Sequence, residues 1–346
     1  MSGGVDSSVA ASLLVAAGHE VVGATLKLWG GPSDSGCCSV ADVDDARRVA
    51  HVLGIDHHVF NYTDEFERDV VAPFVAGHAR GLTPNPCIEC NRHIKFDLLI
   101  ERARRLGFDA VATGHHARVV TRNGEPALAR GVDAAKDQSY VLGYLSAPQL
   151  AMVRLPIGEL TKDEVRRHAR ELNLRTWNKP DSQDVCFIEA ARGREVFLRS
   201  RIPVTSATIV DRSTGDVLGT VEAAELVTVG QRKGVAPGRD GARRYVASVD
   251  LGGGRVEVGR LDEVVVRRVS LDGASVIIRG APVTTVAVWV QTSAHGTPVD
   301  AVLRHDGQWS VEFATAIRPV APGQSVVFYD RDDPTIAVGA AVVSAT

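Results

Sequence analysis

The chain has 346 residues, 45% of them hydrophobic and 23% charged, with a net charge of −3. That size supports two or three domains with ample cores, and the near-neutral balance excludes a protein that holds a polyanion by bulk charge alone. There is no leader pattern and no apolar run of about 18 residues, which predicts a cytoplasmic protein with no membrane partner. Five cysteines, an odd number, speak against a disulfide framework.

The chain opens on Ser2-Gly3-Gly4-Val5-Asp6-Ser7-Ser8, directly ahead of a helical pattern in which Val9, Leu13, Leu14 and Ala17 share a face and Gly18 ends the run. Glycines allow close approach of the backbone, and a helix N-terminus presents N–H groups and a positive dipole end, so the string reads as an anion loop. No Gly-Lys-Ser/Thr follows, so it is not a Walker A loop. The plain alternative is a Gly/Ser turn capped by Asp6. A phosphate loop normally follows a strand, and only Met1 precedes this one; the expectation is a mis-assigned start and a gap in the sheet.

Downstream, residues 21–29 read as a strand, 41–53 as a helix, 57–62 as a strand and 65–78 as a helix. Cys37 and Cys38 lie in a Gly/Ser/Asp loop without a spacing signal. In Thr83-Pro84-Asn85-Pro86-Cys87-Ile88-Glu89-Cys90-Asn91, two prolines argue against helix until about Cys90. A helix is expected over 91–106 and a short strand over 109–113, ending in Gly114-His115-His116. From about residue 207, short β runs with turn signals replace the helix–strand alternation, which predicts antiparallel sheet or barrel.

Cys87 and Cys90 precede a helix bearing Lys95, a setting that lowers a thiol pKa and favours a nucleophile. A half zinc site is the alternative, but no second C-x₂-C pair exists. Cys186, within Asp181-Ser182-Gln183-Asp184-Val185-Cys186-Phe187, is on its own indistinguishable from a buried core thiol. Only six of the 39 basic residues are lysine, and Lys95, Lys136, Lys179 and Lys233 fall within the motif strings.

The loop resembles that of the N-type ATP pyrophosphatases. Together with Ala112-Thr113-Gly114-His115, Lys136-Asp137-Gln138-Ser139-Tyr140, Gly230-Gln231-Arg232-Lys233-Gly234 and Pro322–Tyr329, it makes the chain similar, nearly end to end, to the tRNA-specific 2-thiouridylases. The resemblance implies an α/β fold in three parts. These are a doubly wound parallel-sheet ATP-pyrophosphatase domain (1–192), a small central domain (193–262) and a C-terminal antiparallel β-barrel (263–346).

The resemblance also implies roles. Ser2, Gly3, Gly4, Val5, Asp6, Ser7, Ser8 and Val9 would grip ATP phosphates with Mg²⁺, and Leu26 and Gly114 would meet the adenosine. Cys90 would be the nucleophile and Cys186 the persulfide carrier, with Asn85, Pro86 and Cys87 at the target base. tRNA contacts would fall at His115, Lys136, Asp137, Gln138 and Gln324, and at Ser293 and Ala294, where better-known members carry an Arg-Tyr pair. Uridine 34 of the anticodon arm would exchange its C2 oxygen for sulfur delivered by a donor or relay protein to a monomeric enzyme. Many members have an acidic residue where this chain has Cys87. A thiol there completes a set, Cys87, Cys90 and Cys186, that some branches use for a 4Fe–4S cluster, and the three are expected to converge. Persulfide and cluster chemistry both stand open on sequence. An amine-using ATP pyrophosphatase would share the loop without needing Cys90 and Cys186, and a non-catalytic RNA-binding barrel would need no loop.

Overall fold

The computed structural model describes residues 1–29, 39–181, 185–188, 193–280 and 284–345; Cys37, Cys38 and positions 182–184 of the Cys186 string lie outside the described residues. The chain divides into two compact units. One comprises Met1–Val71, Pro86–Arg194 and Thr335–Ala337, the other Ala72–Asn85, Glu195–Pro334 and Val338–Thr346.

In the first unit, α1 (Val5–Ala16) buries Val5, Val9 and Ala10 against Val49 of α2 (Val40–Leu53) and against Ile157, Val165, Ala169 and Leu174. The start of α2 is set by Ser39, whose Oγ accepts from the Asp42 N–H, and its end by Gly54 at φ 66°. Strand β1 (Gly23–Lys27) pairs in parallel with β2 (His57–Asn61). Met1 also meets β1: its amino group donates to the Ala24 carbonyl, and its carbonyl accepts from Thr25 Oγ1 at 2.6 Å. After the two-residue β3 (Val111–Ala112), β4 (Ala117–Arg122) and β5 (Glu125–Arg130) form a hairpin. Its turn is Asn123-Gly124, both at positive φ (52° and 82°), the chemistry a tight hairpin requires. Ile336 and Ala337, which belong to this unit, pair with Ala129 and Leu128 of β5. Strand β6 (Val153–Arg154) then pairs in parallel with β3.

Two expectations are corrected here. Among the described residues of this unit, parallel pairing is confined to the separate pairs β1–β2 and β3–β6, and an antiparallel hairpin intervenes in sequence, so they form no single doubly wound sheet. The helix expected from residue 91 begins instead at Pro86 (Pro86–Glu89), continues as a π-helical stretch over Cys90–Leu98 and ends as α-helix over Leu99–Arg105. Proline is compatible with a first helical turn, where its missing N–H has no partner to lose.

The second unit holds two sheets. Strands β7 (Ala207–Asp211), β8 (Val217–Val221), β9 (Tyr245–Asp250) and β10 (Arg255–Gly259) lie in the order β8-β7-β10-β9 over a core that includes Ile209, Val246 and Val258. The other sheet uses β11 (Val266–Ser270), β12 (Ile277–Ile278), β13 (Thr285–Gln291), β14 (Val299–His305), β15 (Trp309–Ile317), β16 (Ser325–Asp330) and β17 (Ile336–Val342). They run β11-β15-β14-β13-β16-β17, with β12 also on β17. Alternate residues such as Val288, Val290, Leu303, Val311, Phe313 and Phe328 fill its core. Among the described residues the expected barrel is an antiparallel sheet whose β11 and β17 ends meet at the Leu271–Val343 bridge, flanked by Asp272 N–H on the Val342 carbonyl (2.9 Å) and Ser344 N–H on the Ser270 carbonyl (3.0 Å), rather than through a long continuous ladder.

Within this unit the Thr83-Pro84 string is fastened to the Pro322-Gly323-Gln324 string. Thr83 N–H donates to the Pro322 carbonyl at 2.8 Å, and Gln324 Nε2 donates to the Thr83 carbonyl at 2.6 Å. No described helix is long and apolar enough to cross a membrane.

Candidate active site

The Ser2–Ser8 loop folds back on itself. Ser2 N–H donates to Ser7 Oγ at 3.0 Å, and Ser8 Oγ donates to the Gly4 carbonyl at 2.8 Å. Two glycines are required by their surroundings. Gly3 has φ +68°, and a Cβ there would lie 2.3 Å from the Asp42 carbonyl oxygen; a Cβ on Gly114 would lie 2.5 Å from the Ser7 nitrogen. Gly114 thus packs directly on the loop at the start of α1. Val5, Ser8 and Val9 are buried, so what they offer a phosphate is backbone, while Ser2 is exposed and Asp6, Ser7 and Leu26 are half-buried.

Asp6 is the hub of the charged network. Lys162 Nζ lies 2.7 Å from each of its carboxylate oxygens, and His116 Nε2 lies 3.3 Å from Oδ1. Burial alone would raise the Asp6 pKa, but the hydrogen bonds from His116 and Lys162 outweigh it and hold the carboxyl below its usual range. Lys162, only 9% exposed in its side chain, also reaches Asp181 at 2.8 Å. Asp181 is further bound by Lys136 at 2.8 Å and Arg166 at 3.1 Å. Burial again opposes and is overcome, bringing the Asp181 carboxyl down to about 2. Lys179 donates to the Gly3 carbonyl (3.0 Å), Asp42 (2.6 Å) and Asp45 (2.9 Å). Sequence reasoning missed Lys162, His116 and Asp42. The Thr161/Glu164 capping box marks the start of the helix Lys162–Glu171, but no sequence signal turns its first residue toward Asp6.

Cys87 is exposed in the first helical turn, Cys90 is buried at the start of the π-helical stretch and Cys186 is half-buried. Cys186 sits in a turn closed by Ile188 N–H on the Val185 carbonyl at 2.9 Å. Next to it, buried Phe187 packs edge-on to Phe66 and at a tilt to Trp29, with centroids 5.7 and 6.1 Å apart. Among the described residues no group of three His, Cys, Asp or Glu is placed to hold a metal. Helix from Pro86 onward leaves Cys87 exposed while Cys90 packs inward. Mg²⁺ asks less, one or two carboxylates plus phosphate oxygens, and Asp6 beside the loop suits it.

The expected tRNA-contact positions differ in what they leave available. Lys136 is 38% exposed in its side chain. Asp137 is spent internally, accepting from Arg130, from the Gly131 and Ser139 N–H groups and from Ser139 Oγ at 2.7–3.0 Å. Gln138 Oε1 accepts from the His116 N–H at 2.8 Å. His115 is buried and bonded to Thr113 Oγ1, and burial, helped by Lys95, brings its pKa down to about 3. In the second unit, Ser293 and Ala294 carbonyls accept from Gln291 Nε2, and Gln324 is held by Thr83.

A glycine-serine loop opening a helix, backed by a carboxylate and a buried lysine in a mixed α/β unit, defines an enzyme class that handles nucleotide phosphates. The family model described as the tRNA methyl transferase HUP domain matches residues 1–190, and its PRC-barrel and aminomethyltransferase beta-barrel companions match 195–260 and 274–343. The tRNA-specific 2-thiouridylase MnmA of Rhodococcus jostii is 46% identical over 357 residues, covering 100% of this chain and 96% of the relative. Those of Mycolicibacterium vanbaalenii and Saccharopolyspora erythraea are 46% and 42% identical, each covering 100% of this chain and 98% of the relative. A solved NMN synthetase from Francisella tularensis aligns at TM-score 0.30 and 19% identity over 52% of this chain and 63% of that one, too little to bear on the argument. The chain belongs to the tRNA-specific 2-thiouridylase family of sulfurtransferases.

Proposed function

We propose that the protein converts uridine 34 of a tRNA anticodon to 2-thiouridine in the cytoplasm, acting as a monomer on sulfur brought by a donor or relay protein. The observation that carries this reading is the physical link from the phosphate loop, through Lys162 and Lys179, to the segment bearing Cys186. An amine-using enzyme with the same loop has no need of that link. The methyl-transfer wording of the family model fits less well, since methyl transfer has no use for a loop that cradles ATP phosphates.

In this reading the backbone of Ser2–Val9 holds the phosphates, with Leu26 and Gly114 on the adenosine side. Mg²⁺ on Asp6 would offset charge as pyrophosphate leaves. The base leaves the anticodon stack to meet Asn85, Pro86 and Cys87, because C2 is shielded while stacked. Its C2 oxygen attacks the α-phosphorus and pyrophosphate departs. The terminal sulfur of a Cys186 persulfide then attacks C2 and AMP leaves. Cys90 thiolate attacks the Cys186 sulfur, so 2-thiouridine is released and a Cys90–Cys186 disulfide forms, which an external thiol reduces. His115, Lys136, Asp137, Gln138, Ser293, Ala294 and Gln324 would line the tRNA path, Asp137 and Gln138 through their backbone. The three segments 1–192, 193–262 and 263–346 would divide catalysis, connection and tRNA binding. Nucleoside mass spectrometry after incubation of tRNA with ATP and a persulfide donor tests the reading: 2-thiouridine supports it, and pyrophosphate release without sulfur incorporation rejects it.

A further inference from the structure

Cys87 and Cys90 belong to one helical run, in which Pro86–Glu89 continues directly as Cys90–Leu98. Three residues apart on a helix, two Cα atoms lie about 5 Å from each other and their side chains are neighbours on its surface. A disulfide spans Cα separations of about 4.4–6.8 Å, so the spacing permits one between these two. Their surroundings differ. Cys87 is exposed, Cys90 is buried, and both are thiols in this structure. Thiol–disulfide exchange depends on access to the sulfur that is attacked. An external reductant can reach Cys87 from solvent, whereas Cys90 has only 6% of its surface exposed. Cys186 is half-buried, and its neighbour Phe187 packs on Phe66 and Trp29.

We propose that Cys87 is the resolving thiol that clears the disulfide left by sulfur transfer, a role that rests on the persulfide reading above. Cys87, its proton lost to solvent, attacks Cys90 Sγ. The Cys90–Cys186 bond breaks, a Cys87–Cys90 disulfide forms, and Cys186 leaves as a thiolate ready for the next sulfur. No electrons enter or leave in that step. A dithiol from solvent then attacks the exposed Cys87 sulfur, supplies two electrons and two protons, and departs as its own disulfide. Both cysteines are thiols again. The relay moves the oxidised bond from a buried sulfur to one that solvent reaches.

Residues 81–92 lie between two tryptic cleavage sites and carry both cysteines, so a Cys87–Cys90 disulfide removes two hydrogens from one peptide and shields it from iodoacetamide. The first test equilibrates Cys186→Ser in a glutathione redox buffer. The internal disulfide should form in that peptide; glutathione adducts on Cys87 with Cys90 still reduced overturn the inference, whatever becomes of the persulfide reading. The second test mixes persulfide-loaded wild-type chain with tRNA and ATP, without dithiol, and quenches with iodoacetamide. Peptide 81–92 should carry the disulfide and Cys186 should be alkylated. Cys90 joined to Cys186, with Cys87 alkylated, overturns the inference. The third test supplies dithiol at only ~10 µM, against an effective concentration of millimolar order for a neighbouring thiol. Turnovers after the first should then be at least about tenfold slower in Cys87→Ser than in wild type, with Cys90–Cys186 disulfide accumulating, and millimolar dithiol should restore them. A Cys87 that only met the base would slow first and later turnovers alike and gain nothing from dithiol, which overturns the inference. Failure of the loaded wild-type chain to make 2-thiouridine overturns the persulfide reading, and this role of Cys87 with it.

Discussion

Gly114 lies so close to Ser7 that a methyl group on it would sit 2.5 Å from the Ser7 backbone nitrogen, although 107 positions separate the two in sequence. The contact is backbone to backbone, so no side chain can swing aside to relieve an added Cβ. Gly114→Ala should therefore displace the start of α1, cost roughly 1–3 kcal/mol of stability and weaken ATP binding more than tenfold. Denaturant titration and calorimetry check both; unchanged ATP binding would show that the loop tolerates displacement.

His115 supplies the pH dependence. Its folded pKa is about 3 against an ordinary 6.5, so between those values the unfolded chain binds a proton that the folded chain does not. Stability from this group is complete above about pH 6.5 and falls as pH drops toward 3, by about 2 kcal/mol at pH 5. His57, lowered to about 4 by burial and then by the amino terminus, acts in the same direction. His115→Asn should flatten the fall in urea midpoint between pH 7 and pH 5; an equally steep fall would assign the effect elsewhere.

Lys136 and Asp137 are adjacent but should behave differently. Lys136 is partly exposed, so Lys136→Ala should reduce the salt slope of tRNA affinity by roughly one unit. Asp137 accepts four internal hydrogen bonds, so Asp137→Ala should cost about 2–3 kcal/mol of stability and leave the slope of the surviving folded protein alone. A changed slope for Asp137→Ala would place its side chain at the RNA.

The Ser2–Ser8 turn that opens α1 was legible because its constraint is local: glycine and serine in that order allow few conformations ahead of a helix. What sequence hid was long-range. Lys162 reads as an ordinary first-turn residue of a capped helix, and only the fold delivers its ammonium to Asp6, 156 positions away. Of two neighbouring histidines the sequence drew attention to His115, yet both are buried in the stretch between β3 and β4, and it is the His116 ring that meets Asp6. The Asn123-Gly124 turn was a readable hairpin signal inside a half that otherwise looked purely parallel. The prolines at 84 and 86 suggested a late helix start, whereas a proline in the first turn permits an early one, and that shift separates the environments of Cys87 and Cys90.

Activation at the loop and sulfur transfer through Cys90 and Cys186 form the central claim. It is tested most directly by following pyrophosphate release and nucleoside mass in one reaction of tRNA, ATP and a persulfide donor. The wild-type chain should release pyrophosphate and yield 2-thiouridine, while Cys90→Ser and Cys186→Ser should each bind ATP normally and yield none. The double variant should be no worse than either single one. Substantial 2-thiouridine from either single variant would contradict the account.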